Sequence, residues 1–265
     1  MSQPDPTLAL KALTDWWGDM GVEADELQMR AFRKAAEARP ASVPAPATEP
    51  PRVPRHLQKK THEDWVNEAR SLAADAQSLD TLKTAIEGFD GCLLKESARK
   101  TACFDGVQGA PVMVIGEGPG AEEDAKGLPF VGKAGKLLDK MLAAIGLSRT
   151  ENTFITNVNY WRPPGNRNPS DEELALCRPF VDRMIELGAP RLIISAGGVS
   201  AKSLLQSRVG IMKLRGTEHA LQTPGGFEAP MFPIFHPAFL LRRPEEKSRA
   251  WRDLLNNPAR LEELL

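Results

Sequence analysis

Four short apolar runs, each closing on glycine or polar residues, alternate along this chain with stretches of helical periodicity. They are "APVMVIGEG" (110–118), "TFITNVN" (153–159), "RLIISAGG" (191–198) and "MFPIF" (231–235), and they read as buried strands feeding turns. Between the first two, "LLDKMLAAIGL" sets Leu137, Leu138, Met141, Leu142 and Ile145 on one helical face, with Gly146 as its stop. Between the next two, residues 171–190 open with acids and carry Gly188 near their end, as a helix should. This alternation predicts an α/β fold, a three-layer sandwich with a central, mainly parallel four-stranded sheet flanked by helices. Such sheets bind ligands at the carboxyl ends of their strands. Here those ends carry GEGPG, Thr156–Asn157, Gly197–Gly198 and His236–Pro237, which marks one edge of the sheet as the expected active site.

The remaining chain sets boundaries. At 265 residues there is material for one good-sized core and an appendage. Residues 1–38, with the Trp16–Trp17 pair, read as a helical segment, and 39–58 as a Pro/Ala-rich, semi-rigid linker. Residues 60–265 then form the α/β domain, beginning with a helix over 64–89 and ending in one or two amphipathic helices. No run approaches the roughly 20 apolar residues of a membrane span, and the amino terminus lacks the look of a secretory signal, so a cytoplasmic setting is the expectation. The three cysteines are odd in number and far apart, which argues against a disulfide framework. A net charge of −1 excludes a generally basic nucleic-acid coat but leaves room for a local basic face.

The stretch "GEGPGAEED" (116–124) poses the chemical problem, because glycines suited to cradling phosphate stand among Glu117, Glu122, Glu123 and Asp124. The Gly116-x-Gly118-x-Gly120 spacing departs from the dinucleotide-binding G-x-G-x-x-G, and Pro119 removes an amide donor. The other strand ends supply a different set. Taken singly, Phe130 reads as a core ring, Asn157 as a turn cap and His236 as a structural imidazole. Taken together they offer an aromatic face, an amide with both hydrogen-bonding senses, an imidazole and a carboxylate, which is what recognising and excising a nucleobase requires.

The stretches "GEGPGAEEDAKGLPFVGKAGKLLDKML", "ITNVNYWRPPGNRNPS", "RLIISAGGVSAKSLL" and "FHPAFLLRRPEEKSRAWRDLL" resemble, in this order, the family-4 uracil-DNA glycosylases, the bacterial and archaeal iron–sulfur type. The resemblance covers about residues 85–257 and is silent on 1–60. It implies that Phe130 stacks on a flipped uracil, that Asn157 reads the Watson–Crick edge and that His236 donates to the uracil O2 as charge builds there. Glu123 is the first choice for handling water and Glu117 the second, with Glu122 and Asp124 as solvated or helix-capping residues. Gly118 brings backbone amides against the base. Arg162 and Arg167 are expected on the DNA backbone, and Leu240, Leu241, Arg242 and Arg243 in the segment that probes the duplex. The bland reading of that segment is the start of a surface helix with solvated charges.

The resemblance also implies a cluster held by four cysteines, and here this chain departs from the pattern. Cys177 matches the last ligand position, Cys92 plausibly matches one of the first pair, and the third position is Trp161. Cys103 lies near a position that is ordinarily apolar. The expectation is therefore no iron–sulfur cluster and no other cofactor, with Trp161 filling the vacated volume. The substrate implied is single- or double-stranded DNA carrying uracil, cut by a monomer that leaves an abasic site. Two alternatives stay open: a glycosylase for hypoxanthine or xanthine, and an inactive uracil- or DNA-binding homologue. A repair or replication partner for the amino-terminal segment is a further expectation.

Overall fold

The computed structural model describes residues 60–255, so the expectations for 1–38, 39–58 and the last ten residues lie outside it. The expected helix over 64–89 is two helices, α1 (His62–Asp75) and α2 (Leu79–Gly88). Ser78 causes the break: its hydroxyl accepts the Thr81 amide, the Thr81 side chain accepts the Ser78 amide, and this reciprocal cap starts a new helix. A short turn of helix, α3 (Leu94–Ser97), follows.

The sheet has six strands rather than four: β1 (Phe104–Gly106), β2 (Val112–Gly116), β3 (Thr153–Asn157), β4 (Leu192–Ala196), β5 (His219–Gln222) and β6 (Glu228–Ile234). Their order is β1-β3-β2-β4-β6-β5. The four strands expected from the sequence pair parallel to one another. The two additional strands are antiparallel edges, β1 on β3 and β5 on β6. Neither has a continuous apolar run, because neither is buried on both faces.

Period-two alternation divides the core. Met113, Ile115, Phe154, Ile193 and Met231 join one cluster with α1, α2 and α6 (Asp171–Gly188). Val112, Val114, Ile155, Leu192, Ile194, Phe232 and Ile234 join the other, with Leu138 and Leu142 of α5 (Lys133–Ala143) and Leu254 of α10 (Lys247–Leu255). The result is three layers, helix on sheet on helix. Among the described residues no helix is long and apolar enough to cross a membrane.

From β2 the chain runs through α4 (Ala121–Lys126) and α5 to β3 on one side, whereas β4, reached through α6, lies on the other side of β2. The crossovers therefore diverge at the carboxyl end of β2, and a crevice opens there. The register pairs Gly116 with Asn157 and Ala196 with Ile234, so these strand ends lie level.

Candidate active site

A cavity of about 600 Å³ sits at that divergence, lined among others by Glu117, Gly118, Phe130, Asn157, Gly197 and His236. One sheet edge thus assembles residues drawn from the ends of β2, β3, β4 and β6. Glu123, Arg167 and Arg242 also line it; Arg162 and Leu240 do not.

Phe130 is buried with φ +52°, a left-handed conformation rare for a large side chain. Three features hold it there. Arg149 donates from Nη2 to the Phe130 carbonyl at 2.9 Å while pairing with Asp105 and Asp139. Glu123 accepts the next two amides, Val131 at 3.0 Å and Gly132 at 2.8 Å, on one oxygen. Gly135 lies so close that a β-carbon would stand 1.8 Å from the Phe130 oxygen. Gly116 serves the same ring from below, where a β-carbon would meet both the Phe130 ring at 2.4 Å and the Asn157 Oδ1 at 2.5 Å.

The two carboxylates have different surroundings. Glu123 also accepts the Gly120 amide at 3.2 Å, so three backbone N–H groups converge on it and it clasps two turns together. Glu117 accepts the Val199 amide at 3.1 Å, near the start of α7 (Gly198–Leu205), which aims its carboxylate into the cavity. Asp124 is neither solvated nor a cap of its own helix: it is 3% exposed and accepts the Arg99 amide at 2.7 Å.

His236 begins α9 (Pro237–Arg242) and accepts the Ala238 amide on Nδ1 at 3.1 Å. Its proton is therefore on Nε2, which becomes a donor. Burial lowers its pKa below the ordinary histidine value; the charge of Glu117 opposes this and that of Arg242 adds to it. Its ring is stacked at 27° to Phe130, with centroids 5.5 Å apart. Asn157 is 1% exposed, and among the described residues its Nδ2 has no hydrogen-bond partner.

The expected DNA contacts divide. Arg162 donates to Asn166 at 2.8 Å, and Arg167 makes a two-pronged pair with Glu173 at 2.8 and 2.5 Å. Arg242 is exposed at the cavity. Leu240 is corrected: it is 1% exposed and packs with Phe235 and Ala250, so it has no side chain to offer a duplex, whereas its neighbour Leu241 is 44% exposed. Sequence reasoning missed Met212, a cavity-lining residue on α8 (Ile211–Leu214) that is 56% exposed. The short apolar stretch bracketed by glycines in "GIMKLRG" is the signal that would have flagged it. It also missed Arg149, whose long-range contacts have no local signature.

A buried aromatic ring, an amide nitrogen without a partner among the described residues, an imidazole and the Glu117 carboxylate thus line one cavity at the switch point of an α/β sheet. Comparison with known proteins places it. The Uracil DNA glycosylase superfamily pattern matches residues 104–257, and the chain belongs to that family. It is 36% identical over 195 residues to the type-4 uracil-DNA glycosylase of Sulfurisphaera tokodaii, covering 69% of this chain and 87% of that protein. The type-4 enzymes of Pyrobaculum aerophilum (35% over 182 residues, 66% and 91%) and Saccharolobus solfataricus (37% over 172 residues, 63% and 79%) are similarly related.

The donor set does not fit the family's iron–sulfur cluster. A cubane takes four thiolates, and the whole chain has three cysteines. The neighbouring Cys177 thiol holds Cys92 below the ordinary thiol value. Burial pushes Cys103 up to about 12. Where the resemblance puts the third ligand stands the indole of Trp161, 1% exposed. Among the described residues no three His, Cys, Asp or Glu side chains converge as a metal site.

Proposed function

We propose that the chain hydrolyses the N-glycosidic bond of uracil in DNA, leaving an abasic site for base-excision repair. The observation that carries this is the unpaired Asn157 Nδ2 at the cavity floor, beside the Phe130 ring and within one cavity with His236. An orphaned buried donor costs about 1–3 kcal/mol, and a ligand oxygen repays it. Uracil brings a carbonyl for Nδ2 and an adjacent N–H for Oδ1, so the two senses of one amide read the two atoms of its edge.

The flipped base enters with its face on Phe130. As the glycosidic bond lengthens, the sugar gains oxocarbenium character and the uracil becomes an anion. His236 donates Nε2–H to the developing O2 charge and does so as a neutral electrophile. Glu117, held by one amide, orients water toward the sugar carbon and stabilises its positive charge. Glu123, committed to three amides, instead fixes the turn that presents Phe130; this reverses the order in which the two acids were expected to act. Leu241 rather than Leu240 supplies the wedge, with Arg242 and the 162–169 segment toward phosphates. Glu117, Glu123, Phe130, Asn157 and His236 all line a cavity of one chain, which supports action as a monomer.

Excision from a labelled single-stranded oligonucleotide with one uracil, developed with alkali, tests the reading, with an inosine strand beside it. Product from the uracil strand alone supports it. Product from inosine alone shifts the substrate to a deaminated purine. Binding without product on either strand leaves the homologue a DNA-binding protein.

A further inference from the structure

We infer that Trp161 is a positioning residue: where the family pattern has a metal ligand, it anchors the DNA-facing wall of the cavity by packing and hydrogen bonds, and the enzyme needs no iron. The inference rests on the glycosylase reading above and deepens it.

Four residues past Asn157, the Trp161 indole is inside the protein, and its Nε1–H donates to Thr101 Oγ1 at 3.1 Å. Asn159 grips the same residue's backbone twice, accepting its N–H on Oδ1 at 3.3 Å and donating from Nδ2 to its carbonyl at 2.6 Å. The Cys177 thiol of α6 donates to that Oδ1 at 3.8 Å, so a surviving ligand-position cysteine is a hydrogen-bond donor in this network. Tyr160 stands edge-on to the indole at 6.0 Å and 86°, and its carbonyl accepts the Ala102 amide at 2.9 Å. The chain is thus bound to the 101–102 segment and to α6 at one point.

Two residues beyond, after the buried Pro163, the polypeptide becomes exposed over 164–168, and Pro163, Asn166, Arg167, Asn168 and the half-buried Pro169 form a cavity wall. Its far end is tied by the Ser170 cap and the Arg167–Glu173 pair. Between these ties the wall has little burial of its own, so the Trp161 anchor decides where its polar side chains stand. An indole offers a donor and a flat apolar body but no lone pair for a metal. A residue of this kind cannot be half of a ligand set waiting for iron; it is a different solution to holding the same segment. The wall faces DNA, whereas Glu117, Asn157 and His236 come from other strand ends. Loosening the anchor therefore weakens substrate binding more than bond breaking.

The test uses the full chain, purified anaerobically, with Trp161→Phe, Thr101→Val and the double variant. Trp161→Phe keeps an apolar ring and removes the N–H donor; Thr101→Val is nearly isosteric and removes its acceptor. Iron and sulfide are assayed on wild type, and KM, kcat and oligonucleotide affinity on all four proteins. Expected are no stoichiometric iron, a KM about tenfold higher in each single variant with kcat much less affected, and no further loss in the double variant. Iron near four per chain with an absorption band near 400 nm would overturn the inference. So would single variants with unchanged KM and a lowered melting temperature, since that is the mark of a merely structural ring. If wild type excises nothing, the glycosylase reading fails separately; the iron assay and the variants' affinity for the oligonucleotide then decide the inference, with equal losses supporting it and no loss sinking it.

Discussion

Glu117 holds one backbone amide and Glu123 holds three, and substitution should separate their duties. Glu117→Gln keeps the Val199 contact but loses the charge, so kcat falls at least about a hundredfold with the melting temperature unchanged. Glu123→Gln replaces one accepting oxygen by a donor, so the Phe130 turn loosens, the melting temperature drops and KM rises. Steady-state kinetics beside calorimetry read both. Two buried polar atoms without a partner among the described residues, Asn157 Nδ2 and Tyr160 Oη, give a sharper contrast. Tyr160→Phe removes a sealed, useless hydroxyl and should raise the melting temperature by a few degrees, roughly 1 kcal/mol, without touching kcat/KM. Asn157→Ala should abolish uracil excision at little cost in stability. His236 gives the pH profile. Its folded pKa lies below the ordinary 6.5 because burial disfavours the cation. Between the folded and unfolded values the unfolded chain binds the extra proton, so stability is full above about 6.5 and declines as pH falls toward the folded pKa. Activity through neutral His236 should persist below pH 6.5 and fail only under more acid conditions; a rate that halves at 6.5 would contradict this. These residues were partly legible. Phe130, Asn157 and His236 stand beside strand ends or glycine turns, where sequence pattern points. The allotment between Glu117 and Glu123 was not, because the amides of Val131 and Gly132 reach Glu123 only once the loop closes.

At the scale of elements, the four central strands could be read because each is an apolar stretch buried on both faces. β1 and β5 could not, since "FDG" and "HALQ" are half-exposed edges whose pairing depends on neighbours already in place. The helix break at Ser78 had a local signature, Ser-x-x-Thr, in a form less common than Ser-x-x-Glu. Burial of Leu240 was invisible because α9 is too short for its period to select a face. The contact between α5 and the Phe130 turn is the element-level feature with the clearest consequence. Gly135 is the first-turn residue of α5 over which the Phe130 carbonyl passes, and a methyl there would overlap that oxygen. Backbone cannot rotate aside as a side chain does, so Gly135→Ala must tilt the helix or release Phe130 from φ +52°. The expected cost is about 1–3 kcal/mol, seen as a lower melting temperature, with a raised KM for the uracil strand because the stacking ring is displaced. Alanine ordinarily stabilises a helix relative to glycine, so a stabilised variant with normal kinetics would refute the close approach.

Taken as a whole the protein carries a net charge of −1 and must still hold a polyanion, so its DNA affinity has to come from few, local cations. The cavity mouth supplies two arginines in unlike states. Arg167 is bound by Glu173 through both prongs of its guanidinium, and a phosphate would have to compete with that carboxylate. Arg242 is exposed and forms no ion pair among the described residues. Phosphate contact at Arg242 therefore releases a counterion without breaking an existing pair, whereas contact at Arg167 exchanges one anion for another. Arg242→Ala should weaken uracil-containing and uracil-free strands by the same factor and reduce the slope of log K against log salt by about 0.7 on single strands. Arg167→Ala should change that slope much less, and where it weakens binding the loss should be reproduced by distorting the wall through Thr101→Val. Fluorescence anisotropy over a salt series measures all three. Equal slopes for wild type and Arg242→Ala would move the phosphate contact elsewhere, to the lysines at the start of α5 or to residues outside 60–255, and with it the face on which the strand enters the cavity.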